Sequence, residues 1–410
     1  MKIRRIFLSI SIAIFMVFSL SLVTNDSFAY WASSVESSND ASIGTVSIDT
    51  WDYSQPIYTT QEFYDFATSS TSLATDKYHL ANDLDFSSFT WDYNSTYNTN
   101  IFKGEFDGRG YTLSNITVTS SDTSSIHLSM FSQMDGATIK NVTVDNFKMG
   151  FDSTFFNASS LEVSVFASNV TGTGNLIENI TLNDVELIAN TLDGAGGLVT
   201  SVRGDADLIV RNIKATDVTV LNESKRSGGL ISRIFTGTGT VIIEDVDFQG
   251  FVAADNRTSN TGGILGTSQS TATSITRAIV EYTAEGTVNL SDGPITYKSD
   301  RYTGGFLGNN NNTIGIDIID SFYTGTLYEN TKYMGSAVGR EKRTTTSLTN
   351  TFYSNVLFNT TTTEPTNTTG IHATYANDTL ANWNIFANAY YSANSLWQQD
   401  AITGRLELIR

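Results

Sequence analysis

The stretch GGLVTSVRGDADLIVRNIKATDVTVLNESKRSGG, residues Gly196–Gly229, begins and ends on the same pair of glycines. Between the pairs, apolar residues alternate with polar ones, as in Ile213-Lys214-Ala215 and Val218-Thr219-Val220. A period of two over runs rich in Val, Ile and Thr reads as β-strand. Gly204 and the Asp205-Ala206-Asp207 cluster interrupt the run, as turns require. One unit of about 33 residues in short strands cannot bury its own apolar side, so it must stack on copies of itself.

Those copies extend in both directions. An aliphatic residue, any residue, then Asn or Asp recurs with its third position at Asn82, Asn115, Asn141, Asn179, Asn212, Asp245, Asp320 and Asn350. Arg277 holds that position in a ninth copy, and the spacings run from 26 to 43 residues. The paired element, Gly196-Gly197, returns as Gly228-Gly229, Gly262-Gly263 and Gly304-Gly305. Its counterparts elsewhere are Ser129-Met130, Ser164-Val165 and Gly335-Ser336. With only three prolines in the chain, strand ladders are rarely broken. The expectation is an all-β, right-handed parallel β-helix, a solenoid of about nine coils stacked about 4.8 Å apart. The Asn/Asp positions form a structural ladder at one corner, bonding the turn and the next coil. The Gly-Gly pairs are turn or tight-packing glycines.

The ends carry other signals. Lys2, Arg4 and Arg5 precede an apolar run from Ile6 to Val23, and Ser27-Phe28-Ala29 follows. That order describes a secretory signal peptide, residues 1–29. Residues 30–57 read as an extended leader and 58–77 as an N-terminal cap. Within the cap a short helix, Thr60 to Thr68, has capping-box spacing between Thr59 and Glu62. The repeats occupy 78–358, a Thr/Asn-rich linker 359–374, and a C-terminal aromatic cap with a closing strand 375–410. A weaker helical run spans Thr379 to Ala387.

A formal charge of −18 opposes nucleic acid and anionic membranes as partners, and membrane association ends with signal cleavage. Zero cysteines excludes disulfides, thiolate metal sites and cysteine nucleophiles.

The segments YHLANDLDFSSFTW (Tyr78–Trp91) and FKGEFDGRGYTLSNITV (Phe102–Val118) resemble the opening of bacterial surface proteins with GLUG repeats. GGLVT, GGLIS, GGILG and GGFLG look like the GLUG motif itself, and the resemblance covers Tyr58 to Asn359. It implies a β-helix in a cell-surface or adhesive setting. The chain departs from the pattern at Ser129-Met130 and Ser164-Val165, which leaves the early coil boundaries open. AYWASSVESSNDASIGTVSIDTW (Ala29–Trp51) is similar to the start of exported Gram-positive proteins that use an alternate signal peptidase, among them biofilm-matrix fibre proteins and camelysin-like proteins.

Catalytic sets are scarce. His79, His127 and His372 are scattered, and no His-Glu-x-x-His exists, so the zinc proteases that can accompany GLUG-like repeats lack their signature here. A serine triad has no supporting motif. Paired acids stand at Asp83/Asp85, Asp245/Asp247 and Asp317/Asp320. Strand alternation puts Asp83 and Asp85 roughly 7 Å apart on one face, compatible with inverting glycoside hydrolysis. Each pair coincides with the repeat's corner, so a structural role is expected, with no metal and no cofactor. Long insertions carry aromatic and basic residues, and the candidate contact residues are Tyr297, Arg301, Tyr302, Tyr390 and Trp397. The bland alternative is that these segments cover neighbouring coils. The reading is a secreted or cell-surface repeat protein for adhesion or display, not an enzyme, with a glycan or a host or matrix protein as partner. A carbohydrate-active β-helix enzyme and an extracellular fibre subunit are the alternatives.

Overall fold

The computed structural model describes residues 54–68, 72–93, 100–120, 126–150, 161–189, 194–223, 225–255, 259–269, 271–290, 293–328, 333–342, 345–353, 356–358, 396–399 and 406–408. All lie in one compact unit, Tyr53–Arg410. The signal peptide, most of the leader, the Thr/Asn-rich linker, the weaker helical run and Tyr390 lie outside the described residues.

Three parallel sheets wind into a β-solenoid of about seven turns. The longest sheet contains Thr138–Met149, Asn175–Ala189, Leu208–Asn222, Thr240–Ala254, Ala272–Thr283, Ile316–Leu327 and Thr346–Tyr353 in that spatial order. A second sheet is built from three-residue strands, Ile126–Leu128 through Arg226–Gly228 to Tyr333–Gly335. The third runs from Ile101–Phe102 through Ile231–Thr236 to Val338–Glu341. Each turn passes from the second sheet through the Gly-Gly bend to the third, then to the longest.

Parallel pairing keeps like side chains above one another, so the core is a set of columns. Ile139, Ile177, Val210, Ile243, Ile275, Ile318 and Leu348 are successive register partners. All but Leu348 are fully buried. A second column, Val144, Leu182, Ala215, Phe248, Val280, Tyr323 and Tyr353, mixes large and small residues so that neighbours interdigitate. Each such aliphatic contributes about 1.5–3 kcal/mol by leaving water.

The solenoid has about seven turns rather than nine, and the aliphatic-x-Asn pattern does not track one corner through the early turns. Asn141 and Asn146, Asn179 and Asp184, and Asn212 and Asp217 all have positive φ, five residues apart on one strand. The register sets Ser114 against Asp145 and Ile116 against Phe147, which places Asn115 opposite Asn146. Asn115 therefore belongs to the second kink and does not continue the corner of Asn141. Asn82 lies before the two-residue strand Leu84–Asp85, and its Nδ2 donates to the Asp83 carbonyl at 2.6 Å. It does not show the positive φ of the corner residues.

The helix spans Thr60–Thr68. Its start carries the reciprocal cap: Glu62 N–H donates to Thr59 Oγ1 (3.2 Å) and Thr59 N–H to Glu62 Oε2 (3.1 Å). Phe63 and Phe66 are buried, and Phe63 sits 5.6 to 6.0 Å from the rings of Phe86, Trp91 and Phe106. Strand Gln55–Ile57 precedes the helix and already pairs in parallel with Lys77–Leu80, so the ladder begins before residue 78.

Candidate functional site

The corner is an unbroken column of side chains. Register partners run Asn141, Asn179, Asn212, Asp245, Arg277, Asp320, Asn350, each with φ between 47° and 56°. Asn and Asp tolerate this left-handed conformation, and their side chains bond locally. Asn141 Nδ2 donates to Asp107 Oδ1 (2.9 Å), Asn179 Nδ2 to Asn141 Oδ1 (2.8 Å), Asn212 Nδ2 to Asn179 Oδ1, and Asn350 Nδ2 to Asp320 Oδ1 (2.9 Å). Arg277 replaces an amide by a fork: its Nε and a terminal nitrogen donate to the two Asp245 oxygens at 2.6 and 2.7 Å. Hydrogen bonding to Asp245 holds this guanidinium far above its ordinary pKa.

The Gly-Gly pairs stack as well. Gly196, Gly228, Gly262 and Gly304 pair across the second sheet, and Gly197, Gly229, Gly263 and Gly305 form the bend that follows. None has positive φ. Their reason is close approach: a Cβ on Gly263 would stand 2.5 Å from the Gly305 carbonyl oxygen.

The candidate contact residues need correction. Tyr297 is 1% exposed. It belongs to an antiparallel hairpin, Glu285–Leu290 with Gly293–Lys298, and packs on Ile188, Leu221 and Ala253. Those three are register partners in the outward row of the longest sheet. Trp397 is likewise buried, with Leu406 and Leu408, on the outward row Ile279, Phe322, Phe352. Its indole Nε1 donates to Asp245 Oδ1 (3.1 Å), and Lys214 Nζ reaches Glu407 Oε2 at 3.2 Å. The strands Trp397–Gln399 and Leu406–Leu408 pair with each other, on the flank rather than as a closing strand. The physical reason is common to both hairpins. Outward apolar residues on a solenoid face need cover, and the aromatics of the insertions provide it. Tyr302 is also buried, whereas Arg301 is half-buried.

Four of the paired acids accept bonds from neighbouring coils. Asp83 Oδ1 accepts the Thr112 N–H at 2.8 Å. Asp85 Oδ1 accepts Asn115 Nδ2 (2.8 Å) and the Ser87 N–H (2.9 Å), which hold its carboxyl below the ordinary range. Asp245 and Asp320 are in the corner column, Asp247 is buried and Asp317 is exposed. His79 Nδ1 lies 2.8 Å from Ser54 Oγ, and His372 is outside the described residues. Among the described residues no group of three or more His, Asp or Glu is placed to hold a metal.

Two features on the outside have no counterpart in the motifs. A cleft of about 450 Å³ lies on the longest sheet where its strands kink, lined by Asp184, Glu186, Asp217 and Glu281 with Phe251 and Tyr282. The other is the elbow between the second and third sheets. The third sheet contributes the register row Asn169, Ser201, Arg233, Thr267, Asn309, Arg340. The second contributes His127 paired with Glu162, then Arg226, Asn260, Tyr302 and Tyr333 as successive partners. Contacts across the bend show that the rows face each other. Glu162, 1% exposed, pairs with Arg203 and Arg233, accepts Ser201 Oγ (3.1 Å) and meets His127 Nδ1 at 2.9 Å. Burial pushes this carboxyl up, but His127, Arg233 and Arg203 outweigh it and leave the pKa lowered. The guanidiniums of Arg226 and Arg233 lie 5.3 and 5.0 Å from the Phe235 ring centre. Those of Arg301 and Arg340 each lie 4.7 Å from the ring centre of Tyr302, and Arg340 donates to the Tyr302 hydroxyl at 2.7 Å.

No family model matches the chain, and no curated protein matches it. The likeness to GLUG-repeat proteins therefore stands on the quoted segments alone. Among solved structures, the chain is similar to a protein from Bacteroides ovatus described as a "putative immunoglobulin A1 protease". Identity is 14%, the TM-score is 0.52, and the match covers 88% of this chain and 93% of the other. The likeness is one of fold: both are parallel β-solenoids.

Sequence reasoning passed over the elbow because its residues are far apart in the chain. A signal was present nonetheless: Arg203, Arg233 and Arg340 each follow a Gly-Gly or Gly-Ser bend within a few residues, and Arg226 precedes one. In a chain with 24 Lys+Arg against 42 Asp+Glu, arginines recurring on either side of one bend mark one face of a solenoid.

Proposed function

We propose that this is a secreted or cell-surface β-solenoid that works by contact, as an adhesion or display module, with a glycan or a host or matrix protein as partner. The observation that carries the reading is the use made of its chemical groups. The acids that could have formed a catalytic pair instead accept bonds from neighbouring coils: Asp83 from Thr112, Asp85 from Asn115, Asp245 from Arg277 and Asp320 from Asn350. A carboxyl held low, as Asp85 is, makes a poor general acid near neutral pH. The sequence supports export through its signal-peptide pattern. Among the described residues no helix is long and apolar enough to cross a membrane. The test is retention of purified protein on arrays of glycans and matrix proteins, with polysaccharide release assayed in parallel. Retention without release is the expected result; no retention on any component refutes it.

A second reading, a carbohydrate-active enzyme, draws on the cleft lined by Asp184, Glu186, Asp217 and Glu281. Release of sugar that is abolished by D184N/D217N would favour it.

A further inference from the structure

We propose that the elbow between the second and third sheets is a binding cleft for an extended acidic polysaccharide whose carboxylates meet its arginines. The inference rests on the contact reading above and gives it a ligand class and a place. Successive coils present Arg203, then Arg226 and Arg233, then Asn260 and Thr267, then Tyr302 and Asn309, then Tyr333 and Arg340. Neighbouring coils are about 4.8 Å apart, so this row spans roughly 19 Å. That step is close to the length of one sugar unit along an extended chain.

The chemistry is distributed along the row. Guanidinium forks at both ends suit carboxylates. Arg203 keeps 41% of its side chain exposed although it bonds Glu162. The middle of the row offers neutral polar side chains. Asn260 and Thr267 are 5% and 1% exposed, and Asn260 Oδ1, Thr267 Oγ1 and Asn309 Oδ1 receive no hydrogen bond among the described residues. A buried acceptor of this kind is suited to a hydroxyl donor. Sugar hydroxyls supply donors, and carboxylates supply the acceptors that arginines need. An acidic peptide fits less well. Except at the terminal strands Tyr333–Gly335 and Val338–Glu341, both rows sit on strands whose backbone groups are committed to the ladders above and below, so strand addition cannot follow the row. The sugar reading also suits the sign of the charge. An anion is repelled by an acidic protein everywhere except where arginines gather.

The experiment is isothermal titration of the purified chain with oligomers of alginate and of polygalacturonate, beside a neutral cello-oligomer and poly-glutamate. Binding of a uronic oligomer, weakened at higher salt and absent for the cello-oligomer, is expected. R203Q/R340Q should weaken it about tenfold or more. R340Q alone, which leaves Glu162 and its partners intact, should show a smaller loss of the same kind and guards against misfolding of the double variant. Failure of both uronic oligomers to bind, binding indifferent to the substitutions, or equal binding of poly-glutamate would overturn the proposal. Retention on a matrix array that ignores both R203Q/R340Q and uronic oligomers would remove this cleft and leave the contact reading standing.

Discussion

Asn179 sits between Asn141 and Asn212 in the corner column, and two substitutions there separate its backbone role from its side-chain role. Its φ is 55°, its Nδ2 donates to Asn141 and its Oδ1 accepts from Asn212. Asn179→Gly keeps the left-handed backbone at no steric cost and removes both bonds. Each is worth about 0.5–1.5 kcal/mol net, so the loss should be about 1–3 kcal/mol. Asn179→Leu removes the same bonds and also forces a γ-branched side chain into the left-handed region. That adds roughly 1–2 kcal/mol, for a total of about 2–5 kcal/mol. Urea unfolding followed by far-UV circular dichroism gives both values, with hydrogen exchange at Ile177 and Ile180 reporting on the local coil. The expected order is wild type, then Gly, then Leu. If Leu proved no worse than Gly, the left-handed backbone would not be what selects Asn at the corner. If neither lost 0.5 kcal/mol, the column would not be structural.

Other outcomes follow from the same packing. Arg277→Ala strips the fork from Asp245, a side chain only 9% exposed, and should cost about 3 kcal/mol in chemical denaturation; Arg277→Asn, which restores an amide to the column, should cost less. Gly263→Ala would put a Cβ 2.5 Å from both the Gly305 oxygen and Val280 Cγ1, so a loss of about 1–3 kcal/mol or more is expected in thermal melting. Tyr297→Ala should lower stability by about 2–4 kcal/mol, as the hairpin loses its anchor on Ile188, Leu221 and Ala253, without weakening binding to any glycan. Glu223 and Asp255, near that hairpin, have raised pKa values, mainly from burial. The folded state therefore holds protons that the unfolded chain has released, and stability should rise as pH falls through the window just above the ordinary carboxylate values; a pH series of melting temperatures checks the sign.

Much of this fold is legible in the letters alone. The alternation in Ile213-Lys214-Ala215, the Gly-Gly pairs and the recurring Asn or Asp determined a parallel solenoid with a corner column, because a repeat that cannot bury its own face has to stack. The helix Thr60–Thr68 was equally legible, since its cap is a contact between residues three apart. Which corner each Asn marks was not. Asn115 and Asn141 carry the same local signature, and only the pairing of Ser114 with Asp145 assigns them to different kinks.

The aromatics of the insertions posed the same difficulty in another form. Tyr297 and Trp397 look identical in sequence whether they face solvent or a neighbouring coil, and what decides is the apolar outward rows Ile188–Leu221–Ala253 and Ile279–Phe322–Phe352. The sequence by itself determined what repeats, since hydrophobic period and left-handed corners are local properties. Only the tertiary structure decided what meets. Glu162 and Arg233 are 71 residues apart, and the winding of the chain, not any motif, brings them into one elbow.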